Sequence, residues 1–170
     1  MKTLDPFKHN FYLYDISITD TEINQVKNFL ENSTNKKTEE DVFSCLTSYT
    51  KLNILNLPLL QNLKKQITNI LDKNDLVLND NWGQLYMKGH EHPIHTHGNS
   101  NYSGIIYLKK NYNHPNSGTW FYDIYGDNNY QFPFTEKKLL LFPSYFPHYV
   151  RAVSEDGYRI VISFNSSYKK

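Results

Sequence analysis

From Trp82 onward the chain breaks into short runs of β-branched and aromatic residues, each closed by Gly, Pro or Asn, and this pattern constrains the fold more than any other feature. The runs fall near 82–88, 93–97, 102–109, 118–123, 138–142, 147–151 and 158–165. The gaps carry turn chemistry: Lys88-Gly89, Asn113-His114-Pro115-Asn116-Ser117-Gly118, Tyr125-Gly126-Asp127-Asn128-Asn129 and Asp156-Gly157. Short strands at such spacing predict a sandwich or jelly roll.

Before residue 79 the pattern is helical instead. Phe11-Tyr12-Leu13-Tyr14 reads as a strand. Thr19-Asp20-Thr21-Glu22 is a capping box opening a helix over 20–31, with Ile23, Val26, Phe29 and Leu30 as its apolar stripe. The polar stretch from Glu31 to Asp41 reads as an exposed loop or a second short helix. Pro58 suits the first turn of a further helix, whose stripe is Leu59, Leu60, Leu63, Ile67, Ile70 and Leu71. The expectation is one α+β domain over residues 1–170, with a mainly helical part at 1–79 and a jelly-roll core at 80–166. The helices would pack on one outer face.

Composition excludes several classes. A formal net charge of +1 provides no field for nucleic acid or a membrane surface. No apolar run is long enough for a signal peptide or a membrane-spanning helix, so a soluble, cytoplasmic protein is expected. The one cysteine, Cys45, permits no disulfide within the chain. It stands in the apolar run Val42-Phe43-Ser44-Cys45-Leu46 and reads as a core residue.

Four of the seven histidines fall within eight residues: His90, His92, His95 and His97. Side chains two apart on a strand share a face, so His95 and His97 would converge. Two imidazoles on one face are half of a divalent metal site. His90 and His92 precede the strand and are expected in an exposed turn. A third ligand is available at His148, where Leu139-Leu140-Leu141-Phe142-Pro143-Ser144-Tyr145-Phe146-Pro147 runs through a Pro-bounded turn into the next strand. Eleven residues later, Arg159 interrupts an otherwise apolar strand, Tyr158-Arg159-Ile160-Val161-Ile162-Ser163-Phe164. A charge there is costly unless paired, and a guanidinium matches a carboxylate in a two-pronged geometry. The alternative is an arginine facing solvent.

These residues, in this order, resemble the small 2-oxoglutarate–Fe(II) oxygenases frequent in phages and marine bacteria, relatives of the prolyl hydroxylases. The resemblance runs through Trp82–Gly89, His95-Thr96-His97, Ser103–Leu108, Ser117–Asp123, Leu140–His148 and Arg159–Asn165. It implies a double-stranded β-helix, with Fe(II) as metal, 2-oxoglutarate as cosubstrate and O2 as oxidant. It also implies that His95 and His148 are iron ligands and that Arg159 anchors the far carboxylate of 2-oxoglutarate. Tyr86 stands where such enzymes place a tyrosine that hydrogen-bonds the cosubstrate; a core tyrosine is the alternative. Asn165 shares the parity of Arg159, Val161 and Ser163 and is expected beside the site. The wider pattern has an acid where this chain has His97. Either His97 ligates directly, as the strand geometry favours, or an acid such as Asp123 completes the set.

The expected reaction is hydroxylation of a C–H bond, with release of succinate and CO2. The substrate is open between a peptide or protein side chain and a small molecule. Two rival readings remain. One is a cupin-type three-histidine dioxygenase, which needs no 2-oxoglutarate and leaves Arg159 without a role. The other is a jelly-roll binding module that holds no metal.

Overall fold

The computed structural model describes residues 2–4, 10–33, 45–49, 52–114, 117–123 and 129–170; the expected loop or helix at 31–41, the Cys45 run from Val42 and the turns at 113–118 and 125–129 fall wholly or partly outside them. The first helix, α1 (Asp20–Ser33), begins at the capping box: Glu22 accepts from the Thr19 backbone N–H at 2.7 Å, and Thr19 Oγ1 accepts from the Glu22 N–H at 3.2 Å. Pro58 opens a single 3-10 turn (Pro58–Leu60), closed by a bond from the Leu60 N–H to the Leu57 carbonyl. Only then does α2 (Gln61–Asp72) begin. Ile23, Val26 and Leu30 of α1 and Leu63, Ile67 and Leu71 of α2 are buried.

The strands are β1 (Lys2–Leu4), β2 (Phe11–Asp15), β3 (Leu46–Thr47), β4 (Leu76–Met87), β5 (His92–His95), β6 (Tyr102–Lys110), β7 (Thr119–Tyr122), β8 (Asn129–Phe132), β9 (Lys138–Pro143), β10 (His148–Val150) and β11 (Tyr158–Tyr168). They form two antiparallel sheets among the described residues: a larger one ordered β1-β2-β9-β6-β11-β4-β3, and a smaller one ordered β5-β10-β7-β8.

The two-residue alternation of the large sheet separates two cores. Leu139, Leu141, Ile160, Ile162, Leu85 and Ile106 join the helix stripes in one cluster. Their alternates, Leu140, Phe142, Val161, Tyr86 and Ile105, join Phe121 and Val150 of the small sheet in the other. The large sheet is therefore covered on both faces, and its second face looks toward the small sheet. One glycine is required by this packing. A Cβ on Gly104 would lie 2.0 Å from the Phe164 ring, so β6 passes over that ring only without a side chain.

Several elements differ from the sequence expectation. β4 begins at Leu76: the turn-like run Asn79-Asp80-Asn81 stays in the strand, and both asparagine side chains bond to neighbours. Asn81 Oδ1 accepts from the Leu55 N–H at 2.7 Å, and Asn79 donates to Ser167 at 2.7 Å. β8 pairs with β7 in a region expected to be loop. His92 is not in an exposed turn: it begins β5 and is 6% exposed. No helix among the described residues is long and apolar enough to cross a membrane.

Candidate active site

His95 and His148 are register partners on adjacent strands of the small sheet. His97 lies just past the end of β5, where its backbone N–H donates to the Ser144 carbonyl at 2.9 Å. One ligand atom from each of the three rings lies within 4.8 Å of the other two. Strand parity was the reason to expect His95 and His97 together; the structure brings them together although His97 has left the strand. Asp123 is not part of this cluster and does not line the cavity around it.

The ring orientations suit a metal. Nδ1 of His95 hydrogen-bonds the Pro93 carbonyl at 2.8 Å, and Nδ1 of His148 the Phe146 carbonyl at 3.0 Å. A carbonyl only accepts, so both rings carry their hydrogen on Nδ1 and keep the Nε2 lone pair for a ligand. Burial, then the neighbouring His95, lowers the His97 pKa to about 4. Burial also lowers His95, against a smaller opposing pull from the Pro93 carbonyl, and it lowers His148 well below the usual range. The three rings are therefore neutral near pH 7, the state that binds metal.

The histidines open into a small, partly enclosed cavity of about 20 Å³ between the sheets. Its apolar walls include Ile105, Phe142, Val150 and Val161, and its polar ones Gln84, Tyr86, His92, Ser163 and Arg159. Arg159 is 1% exposed. Its Nη1 donates to the carbonyls of Ser117 and Gly118, and its guanidinium lies 4.4 Å from the centre of the Tyr86 ring. Its Nε is buried without a hydrogen-bond partner, and no acidic side chain among the described residues forms an ion pair with it. A buried cation without a counter-charge costs several kcal/mol, on the order of what a bound anion would relieve.

Tyr86 is buried and accepts a hydrogen bond from Gln84 Nε2 at 2.9 Å. Asn165 does not line the cavity; it accepts from Ser103, which does, at 2.9 Å. Cys45 packs near the Gln84 amide, and burial pushes its thiol up to about 11, the behaviour of an inert core residue. Sequence reasoning missed Gln84 and His92 as cavity residues. Gln84 had a usable signal, since it shares the parity of Tyr86. His92 had none that strand parity could reveal.

No protein-family model matches the chain, and no curated protein matches it in sequence. Solved structures do match it in three dimensions. A prolyl-4-hydroxylase from Pseudomonas putida aligns with a TM-score of 0.67 at 14% identity, over 98% of this chain and 96% of that one. A prolyl hydroxylase from Trichoplax adhaerens, solved with a peptide fragment of hypoxia inducible factor, aligns at 0.71 and 13% identity, over 95% of this chain and 86% of that one. HygX from Streptomyces hygroscopicus, solved with nickel, 2-oxoglutarate and hygromycin B, aligns at 0.66 and 14% identity, over 95% and 84%. The fold is that of the prolyl-hydroxylase-like 2-oxoglutarate–Fe(II) oxygenases. The resemblance read from the sequence is met at that level.

Proposed function

We propose that this chain is an Fe(II)- and 2-oxoglutarate-dependent oxygenase on a double-stranded β-helix, hydroxylating a C–H bond of a peptide, protein side chain or small molecule. The observation that carries the reading is Arg159, a buried guanidinium without an acidic partner among the described residues, in the same cavity as three converging imidazoles. A metal site alone would not need that cation. A ligand with one end on a metal and a carboxylate at the other end accounts for both. Structures with this fold have been solved with 2-oxoglutarate and with nickel or iron, which supports the same assignment.

The donor set fits the metal. His95, His97 and His148 would hold iron through neutral imidazole nitrogen. When bound, iron, 2-oxoglutarate and O2 supply the oxidation: the diacid loses CO2 to become succinate, and one oxygen atom enters the substrate C–H bond. The chain positions and insulates. The Pro93 and Phe146 carbonyls fix two ligand rings. Arg159 takes the far carboxylate, and Ile105, Phe142, Val150 and Val161 keep its surroundings apolar, where a charge-assisted pair is strong. No side chain need move a proton.

The test is succinate release from 2-oxoglutarate by the purified protein with Fe(II) and O2, beside Arg159→Ala. Turnover that requires both iron and Arg159 supports the reading. Oxygen uptake with iron but without 2-oxoglutarate would point instead to a cupin-type dioxygenase.

A further inference from the structure

Four histidine rings line the cavity, one more than the metal needs. The ladder between β5 and β10 carries a bulge: His148 pairs with His95, but Val150 pairs with His92. Three steps on β5 thus match two on β10, so residues 92 and 95, which strict alternation would send to opposite faces, come to one side. The two rings lie parallel, with centroids 4.1 Å apart and planes at 8°.

The fourth histidine is held in the opposite tautomer to His95 and His148. Ser163 Oγ donates to Gln84 Oε1 at 2.9 Å, which turns the amide nitrogen toward Tyr86 and His92. That nitrogen lies 2.9 Å from Tyr86 Oη and 3.3 Å from His92 Nδ1, and Tyr86 Oη is 3.2 Å from the same Nδ1. An amide nitrogen can only donate. One of its hydrogens satisfies the tyrosine oxygen and the other the His92 Nδ1 lone pair, which is nearer than the Cys45 sulfur at 4.0 Å; the hydroxyl hydrogen, with its oxygen already accepting, is left for that sulfur. The hydrogen of the neutral His92 ring is therefore on Nε2. A nitrogen that carries hydrogen cannot ligate a metal, but it can donate to an oxygen.

We infer that His92 is a cosubstrate-binding residue, whose Nε2–H, set by Gln84 and Tyr86, donates a hydrogen bond to an oxygen of the bound 2-oxo acid. Its place suits this: it stacks on a metal-site ring on one side, and on the other it touches Tyr86, whose ring lies under the Arg159 guanidinium. Tyr86 then acts through His92, as a positioning residue, and does not itself donate to the cosubstrate. The inference rests on the 2-oxoglutarate reading for the ligand, but not for the tautomer.

The two parts are tested separately. Nitrogen NMR of the metal-free chain with labelled histidine reads the tautomer directly: the His92 Nδ1 is expected to be unprotonated and Nε2 protonated. Calorimetry with 2-oxoglutarate on zinc-loaded protein reads the binding role. His92→Phe keeps a flat ring against His95, so zinc affinity should stay within about twofold, while 2-oxoglutarate binding weakens roughly tenfold for one lost buried hydrogen bond. His92→Gln restores a donor near the Nε2 position and should recover most of that loss; His92→Asn, whose amide is too short, should not. A hydrogen on Nδ1, or undiminished 2-oxoglutarate affinity in His92→Phe, overturns the inference. Wild-type protein that binds zinc but no 2-oxoglutarate overturns the proposed function as well, whatever the tautomer proves to be.

Discussion

His95 and His148 face each other across the β5–β10 ladder, and each ties its Nδ1 to the backbone carbonyl two residues before it. The same local device thus orients two rings that come from distant segments, at positions 95 and 148. Neither ring can turn its Nε2 away without giving up a hydrogen bond, a buried one for His148, so both are oriented as metal ligands would be.

Removing either ring should therefore abolish tight binding. Losing only an outer partner of a ligand typically costs about 10–100-fold in metal affinity, and losing the ligand itself should cost at least the upper end of that. Titration of His95→Ala and His148→Ala with nickel or zinc measures it. Affinity equal to wild type in both would remove the metal site.

Acid should destabilise the metal-free protein. In the unfolded chain an imidazole titrates near about 6.5. In the folded chain His97 is lowered to about 4 and His92 to about 3, and His95 and His148 are lowered as well, in every case mainly by burial. Below the unfolded value the unfolded chain takes up protons that the folded one refuses, so stability falls as pH drops through that window and is level above it. The Tm of the metal-free protein should be several degrees lower at pH 5 than at pH 7.5. A Tm that rose on acidification would contradict the buried, neutral state of these rings.

Arg159→Met should separate stability from function. A buried cation without a counter-charge is a liability in the ligand-free fold, and apolar replacement of buried charges is often neutral or stabilising by about 1–4 kcal/mol. The Ser117 and Gly118 carbonyls lose a donor, which offsets part of this gain. The expected result is a ligand-free Tm at or above that of wild type, together with loss of any Tm increase on adding 2-oxoglutarate. A variant that still gained stability from 2-oxoglutarate would show that the diacid is held elsewhere.

Much of this was legible in the sequence, for reasons that particular residues show. The strand containing Arg159 announced itself by its β-branched and aromatic residues, and the strand ahead of His148 by the unbroken apolar run Leu139-Leu140-Leu141-Phe142. β8 did not: Asn129-Tyr130-Gln131-Phe132 alternates polar and aromatic residues, but over only four positions that follow directly on a turn-like Gly-Asp-Asn run, and its strand partner, β7, lies elsewhere in the chain. The burial of His92 was illegible for a sharper reason. It depends on a bulge set by the partner strand, and residue spacing along one strand cannot show how many residues oppose it on the next. Arg159 could be flagged as a charge in an apolar run, but only the fold shows that no acid among the described residues pairs with it.

Gly104→Ala probes the packing that lets β6 pass over Phe164. The added Cβ would come within 2.0 Å of the ring, so the ring or the strand must shift, and overpacking of this kind costs about 1–3 kcal/mol. Chemical denaturation should show a lower midpoint with little change in slope. Because Gly104 and Phe164 also line the cavity, a shifted ring should weaken 2-oxoglutarate binding too.

His97→Asp tests what the all-imidazole ligand set does. The substitution replaces a neutral nitrogen donor with an anionic oxygen at a position that packs against Trp82 and lies beside His95 and His148. Even at an effective dielectric of about 20, a unit charge beside a divalent ion is worth several kcal/mol, and desolvation of the carboxylate returns much of it. The net should still favour hard ions: Mn(II) affinity is expected to rise by roughly tenfold, with a smaller gain for Ni(II), which binds imidazole well. Parallel titrations with the two ions read the ratio directly. If the nickel-to-manganese ratio stayed at the wild-type value, position 97 would not be in contact with the metal, and the third ligand would have to come from another side chain.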